Sequence, residues 1–259
     1  MVIDQSASRT LPLIRASCHA AQVAGRIPLV VDPLCRDHDP GGEIWLGVTT
    51  PGAEVAERVA VIETTLRGLG HDLVRAREFD DTWLTRVHSA ELIDHLATVW
   101  DRWVTAGYPD LGAERVVPYL FPSAELLHRL PRRMPAALHA RVGMYCLDTM
   151  TLTGPGSWRA IRAATHVART AVDLVASGTP CVYALTRPPG HHATRSAYGG
   201  SCYLNNAAIA AQALREAGYA RVAVIDIDAH HGNGTQAIFY ERSDVFTAHG
   251  RRARRRRRR

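Results

Sequence analysis

The 259-residue chain contains no lysine; all 31 of its basic residues are arginine. A very GC-rich coding region favours that bias, and in such DNA a shifted reading frame readily yields arginine and alanine runs. Cysteine is sparse. Cys18, Cys35, Cys146, Cys181 and Cys202 are scattered, odd in number and form no CxxC pair. That usage excludes a disulfide scaffold and fits a reducing compartment. Long apolar runs are missing too: none approaches the ~18 residues of a membrane span, which excludes a transmembrane protein. Arg9 and Arg15 are followed by no continuous apolar stretch and no small-residue cleavage site, so a secretory signal is not expected. The chain reads as cytoplasmic, and it shows no internal repeat.

What is present is an ordinary globular composition, 46% hydrophobic and 22% charged, long enough for one large domain with a buried core. The net charge of +6 is misleading, because residues 251–259 (RRARRRRRR) supply eight arginines and leave 6 − 8 = −2 for the rest. A basic tail of that kind can meet nucleic acid through phosphate contacts, a weak partner expectation. The reading divides the chain into an extension over 1–26, a partial α/β domain over 27–250 and a disordered arginine-rich tail over 251–259.

Apolar spacing predicts the elements. Ile27 to Val31 reads as a buried strand. A helix is predicted to open at Thr50-Pro51, with Val55, Val59, Ile62 and Leu66 on one face and Gly68 at its end. Ser89 caps a second helix with a stripe of Leu92, Leu96, Val99 and Trp103. Residues 109–135 are proline-rich and irregular. Ser157 caps a third helix, with Ala160, Ala164, Val167, Ala171 and Leu174 inward and Gly178 beyond. Strand Cys181 to Leu185, helix 205–217 and strand Val222 to Ile227 then form a βαβ unit with parallel strands. In parallel sheets ligands sit beyond the carboxyl ends of the strands.

Both carboxyl ends carry unusual chemistry: RPPGHH (187–192) after the first strand and DIDAHHGNG (226–234) after the second. Alternate residues of an extended segment share a face, so Asp226, Asp228 and His230 point the same way. Asp228 and His230 can offer oxygen and nitrogen to one borderline divalent metal. Asp226 is spaced to reach a neighbouring imidazole and fix its tautomer. His191 and His192 can move protons at neutral pH. A histidine pair alone is ordinary surface decoration, and a strand-end aspartate alone is an ordinary turn cap. Four histidines and two aspartates at adjacent strand ends are costly to hold without metal or mutual pairing. The tryptophans Trp45, Trp83, Trp100, Trp103 and Trp158 read as core or interface, and Cys202 as a small buried hydrophobe.

RPPGHHA (187–193), GGSCYLNNAAIAA (199–211) and DIDAHHGNGTQAIFY (226–240) resemble the zinc-dependent histone deacetylase family. WDRWVTAGY (100–108) and MYCLDTMTLTGPGSW (144–158) further resemble its bacterial acetylpolyamine amidohydrolase branch. The resemblance runs from about residue 28 to 247. It implies an arginase/deacetylase-like α/β fold, a parallel sheet flanked by helices, and amide hydrolysis that releases acetate from an acetylated amine or an acetylated protein lysine. Its implied cofactor is Zn2+, with Fe2+ as an alternative and a structural K+ site besides. Asp228 and His230 match two of three metal ligands. His192 matches the general base and acid, His191 its electrostatic partner, Asp226 the carboxylate orienting His191, and Asn233 the group facing His192.

The chain also departs from that pattern. No counterpart of the third ligand, an aspartate further downstream, or of the transition-state-stabilising tyrosine is found. After Val245-Phe246-Thr247 the sequence runs through Ala248-His249-Gly250 into the arginine run, so the C-terminal part of the sheet is expected to be missing and metal binding weak. Missing strands would leave an edge that favours self-association, which makes a second copy a candidate partner. Ser201 replaces an aromatic residue, and His139 and Met150 stand where polyamine-specific relatives carry acids, with Asp148 as a compensating carboxylate. A catalytically inactive binding protein with a basic tail is the second reading, and an arginase-type binuclear hydrolase the third.

Overall fold

The computed structural model describes residues 26–108, 115–123 and 133–250, together with the backbone of Val2–Ile3. Most of the extension, part of the proline-rich stretch and the arginine run lie outside these residues. Two three-stranded ladders carry the fold. In the first, β2 (Leu29–Val31) lies between β5 (Leu73–Arg75) and β6 (Tyr183–Ala184), all parallel, with Leu29 opposite both Leu73 and Tyr183. In the second, β7 (Val222–Asp226) pairs in parallel with β8 (Val245–His249) and antiparallel with β1 (Val2–Ile3). A hairpin of β3 (Glu43–Trp45) and β4 (Val48–Thr50) stands apart.

The strands of the expected βαβ unit, β6 and β7, therefore do not pair with each other. Their connection, α5 (Asn206–Glu216), packs on β7 and on α4 (Ser157–Ala176). α4 is the central helix because it is apolar on two faces. Ile161, Ala168 and Val172 enter the main core with Leu92, Leu96, Val99 and Trp103 of α2 (Ala90–Thr105). Ala163, Ala164 and Val167 face Val30 and Cys35 beneath the first ladder. The alanines let backbones approach, while each fully buried Leu or Val contributes about 1.5–3 kcal/mol.

Helix boundaries follow caps where the caps are local. Ser89 Oγ accepts from the Leu92 N–H (3.2 Å) at the start of α2, as the stripe predicted. Asn205 Oδ1 does the same for Ala208 (2.9 Å) at the start of α5. Two expectations need correction. The helix placed at Thr50-Pro51 begins only at Ala56, as α1 (Ala56–Gly68), because Thr50 is the last residue of β4 and pairs with Glu43. Ser157 is the first residue of α4 rather than its cap. Gly156 occupies the cap with φ +81, and Ser157 Oγ accepts from the Gly154 N–H and bonds His38 Nδ1. Trp45, read as core or interface, is 54% exposed on the hairpin. The remaining helices are short: α3 (Leu138–Val142), α6 (Asn233–Phe239) and two 3-10 turns, Pro33–Arg36 and Asp81–Arg86.

Candidate active site

The loop from Leu185 to Leu204 carries the tandem histidines, and buried polar contacts hold it from several sides. Arg187, 2% exposed, donates to Glu54 Oε1 (2.8 Å) and the Cys35 carbonyl (3.0 Å), tying the loop to the segment before α1. Asn206 Nδ2 donates to the Pro188 carbonyl (3.0 Å) and Asn205 Nδ2 to the Ala193 carbonyl (3.1 Å) and Thr235 Oγ1 (3.0 Å). His88 uses both ring nitrogens: Nδ1 meets the Thr194 carbonyl (2.9 Å), and Nε2 accepts from the Asn205 N–H (2.9 Å). Burial pushes the His88 imidazole down to about 4, so it stays neutral and its one N–H goes to Thr194. The N–H groups of Gly234 and Thr235 in α6 both point at the His191 carbonyl (3.0 and 3.1 Å). Arg187, Asn205, Asn206, Gly234 and Thr235 lie inside the motifs singled out in the sequence but were given no role there, and Glu54 and His88 left no signal.

Against this backing each histidine finds one acceptor. His191 Nδ1 lies 2.9 Å from Asp226 Oδ2, at the carboxyl end of β7. His192 Nδ1 lies 2.6 Å from Asn233 Oδ1, at the start of α6. With an oxygen facing Nδ1, each ring carries its proton there when neutral and leaves Nε2 as the basic nitrogen. The two rings sit 4.0 Å apart between centroids, and His192 is 6.2 Å from the His230 ring. Burial lowers the His192 pKa, the Asn233 contact partly opposes that, and His191 and His230 lower it further. Burial also raises the carboxyl of Asp226, but hydrogen bonds from His191 and the Asp228 N–H outweigh it and hold the pKa below the ordinary value.

Asp228 and His230 lie beyond β7 in a tight turn. Asp228 Oδ1 accepts from the His230 N–H (2.7 Å) and lies 3.1 Å from His230 Nδ1. The first of these bonds is the main cause of the lowered Asp228 pKa. A carboxylate oxygen and an imidazole nitrogen at that separation suit two vertices around one ion with bonds of about 2.0–2.2 Å. They supply two of the three ligands that the resemblance implies. Among the described residues no group of three His, Cys, Asp or Glu could hold a metal ion. His249 does not extend the pair: its Nδ1 is 3.5 Å from Asp226 Oδ2 and its ring stacks edge-on against His231.

One substrate-side expectation changes. Asp148 is not a spare carboxylate for a cationic substrate, because both its oxygens accept backbone N–H groups. His139 pairs with the Tyr108 hydroxyl (2.9 Å) beside Tyr119. Met144 and Tyr145 are buried in the main core, and Cys202 is fully buried with its thiol pushed up to about 12.

Comparison with known proteins identifies the family. Residues 53–252 match the histone deacetylase domain, and the chain belongs to that family. Over 208 residues it is 39% identical to an acetylpolyamine amidohydrolase of Mycoplana ramosa, covering 80% of this chain and 58% of the relative. Acetylpolyamine amidohydrolase 2 of Pseudomonas aeruginosa is 38% identical over 218 residues, 83% of this chain and 61% of its own length. The crystal structure of an acetylpolyamine aminohydrolase from Burkholderia pseudomallei superposes with a TM-score of 0.78 at 34% identity, covering 86% of this chain and 62% of that one. The chain thus spans about three fifths of the length of these relatives.

Proposed function

We propose that this protein is a metal-dependent amidohydrolase that removes the acetyl group from small acetylated amines. The observation that carries the reading is the placement of His192: Nδ1 bound to Asn233, Nε2 left basic, and the ring held beside His191 and within 6.2 Å of the His230 ring. The names of the relatives support an acetylpolyamine as the substrate class. Asp228 and His230 would hold the metal, and their oxygen and nitrogen donors suit a borderline divalent ion such as zinc or ferrous iron. A divalent ion there supplies Lewis acidity toward the acyl carbonyl.

The protein's own groups do the proton work. His192 Nε2 takes a proton from the attacking water, and its lowered pKa keeps it unprotonated and ready at neutral pH. It then returns that proton to the departing amine, so water and amide give acetate and amine. Asn233 fixes the ring but brings no charge, so the protonated ring gains little and the proton is released readily. His191 faces a carboxylate instead and serves as the electrostatic partner. Cys35, Cys146 and Cys202 are free thiols, which supports a reducing, cytoplasmic setting.

The test is acetate release from an N-acetylated diamine and from an acetyl-lysine peptide by the full chain with added zinc, with metal content measured alongside. Turnover of the diamine that falls ~10²–10⁴-fold in His192→Ala supports the proposal. No bound metal and no turnover of either substrate would overturn it in favour of the inactive binding protein.

A further inference from the structure

The segment around Asp148 belongs to no helix or strand, yet it grips the turn that roofs His192. Asp148 Oδ1 accepts from the Met150 N–H (2.9 Å) and the Thr151 N–H (2.8 Å), which locks its own turn. Oδ2 reaches across to accept from the Gly200 N–H at 2.5 Å. Thr151 Oγ1 accepts from the next amide, that of Ser201, at 2.8 Å. Two successive amides of one turn are therefore held by two side chains of another segment. The gripped turn is a strained one. Gly200 has φ +59 and Ser201 φ +61, a left-handed conformation that disfavours any residue with a Cβ.

Gly200 in turn rests on the imidazole. A Cβ built there would lie 2.3 Å from His192 Cδ2, 2.8 Å from Cγ and 3.1 Å from Nε2, so the contact centres on the carbon next to Nε2. His192 is thus held at Nδ1 by Asn233 and bounded on its Cδ2–Nε2 edge by the Gly200 backbone. That second edge bears the nitrogen available for proton exchange. We propose that Asp148 is a positioning residue: acting through Gly200, it fixes the Nε2 edge of His192. The catalytic consequence rests on the proposed role of His192 as the base, while the clamp itself does not.

Asp148→Asn tests this on the full chain. Asparagine keeps an oxygen for Met150 and Thr151 but can turn an NH2 group toward Gly200, removing one acceptor. Without substrate, exchange of the Gly200 amide should quicken ~10-fold. The NMR ring signals of His192 should shift while those of His88 and His95 stay in place. Thr151→Val, which removes only the acceptor for Ser201, should free that amide and move the His192 signals less. With substrate, kcat should fall ~10-fold at unchanged KM, since the clamp orients the base rather than binding the amine. Unchanged Gly200 exchange, unmoved His192 signals, or a common shift of all three histidines would overturn the clamp. The exchange and ring readouts need no turnover, so an inactive wild type counts against the proposed function and leaves the clamp to those readouts.

Discussion

The two halves of the site are built in opposite ways. His191 and its acceptor Asp226 are 18% and 13% exposed and depend on residues far away in the chain, with His88, Asn205, Arg187 and Glu54 behind them. Asp228 and His230 are 51% and 79% exposed; the Asp228 carboxylate bonds only His230, and the Asp228 N–H reaches back to Asp226 Oδ1 (3.0 Å). The His191–Asp226 pair is therefore preorganised by tertiary packing, where a lost contact strands a largely buried polar group. The metal-binding half is local and solvent-facing, where a lost contact is replaced by water.

Acidification should expose this contrast most strongly. His88 is pushed down to about 4, and His38 and His95 to about 3, in each case first by burial, from an ordinary value of 6.5. Below 6.5 the unfolded chain takes up protons that the folded chain refuses, so stability present above that value is lost as pH falls toward 4 and 3. Denaturant midpoints measured from pH 7.5 to 4.5 should drop steadily; a flat profile would mean these rings are not held neutral. His88→Ala should come next. It leaves the Thr194 carbonyl and the Asn205 N–H unpaired in the interior, at a cost of about 2–4 kcal/mol readable in the urea midpoint.

Asn233→Asp sharpens the comparison by giving His192 the kind of partner His191 has. A carboxylate there favours the imidazolium, so the acid limb of the pH–rate profile should move to higher pH. If the limb stays in place, His192 is not the group that titrates. The smallest effect on stability belongs to the exposed half. Asp228→Ala should shift the midpoint by no more than about 0.5 kcal/mol while reducing zinc uptake measured by elemental analysis. A large stability loss would show that the turn is not self-contained.

Local pattern made part of this legible beforehand. The α2 stripe and its Ser89 cap, the inward face of α4 and the helix over 205–217 all follow from patterns repeating within four residues. The meeting of Asp228 and His230 is equally local, although it comes from a turn closed by the His230 N–H and not from the extended alternation expected, because β7 ends at Asp226. The start of α1 was misread because Pro51 is a helix-start signal, whereas Thr50 is drawn into a hairpin by Glu43. The capping role given to Ser157 failed because that hydroxyl is claimed by Gly154 and His38. Asp148 could not be assigned from its neighbours, since its deciding partner, Gly200, lies 52 residues away.

The sequence by itself determined the class of fold, the helix faces and the two chemically loaded strand ends, because apolar period and residue type are written into every short window. Resemblance, not spacing, pointed to Asn233. Tertiary structure alone decided that β7 pairs with β8 rather than with β6, and that Asp226 and Asn233 stand 2.9 and 2.6 Å from histidines 35 and 41 residues away. Nothing in a short window encodes such meetings. They come from packing α4, α5 and the ladders into one interior, where each buried polar group must find a partner.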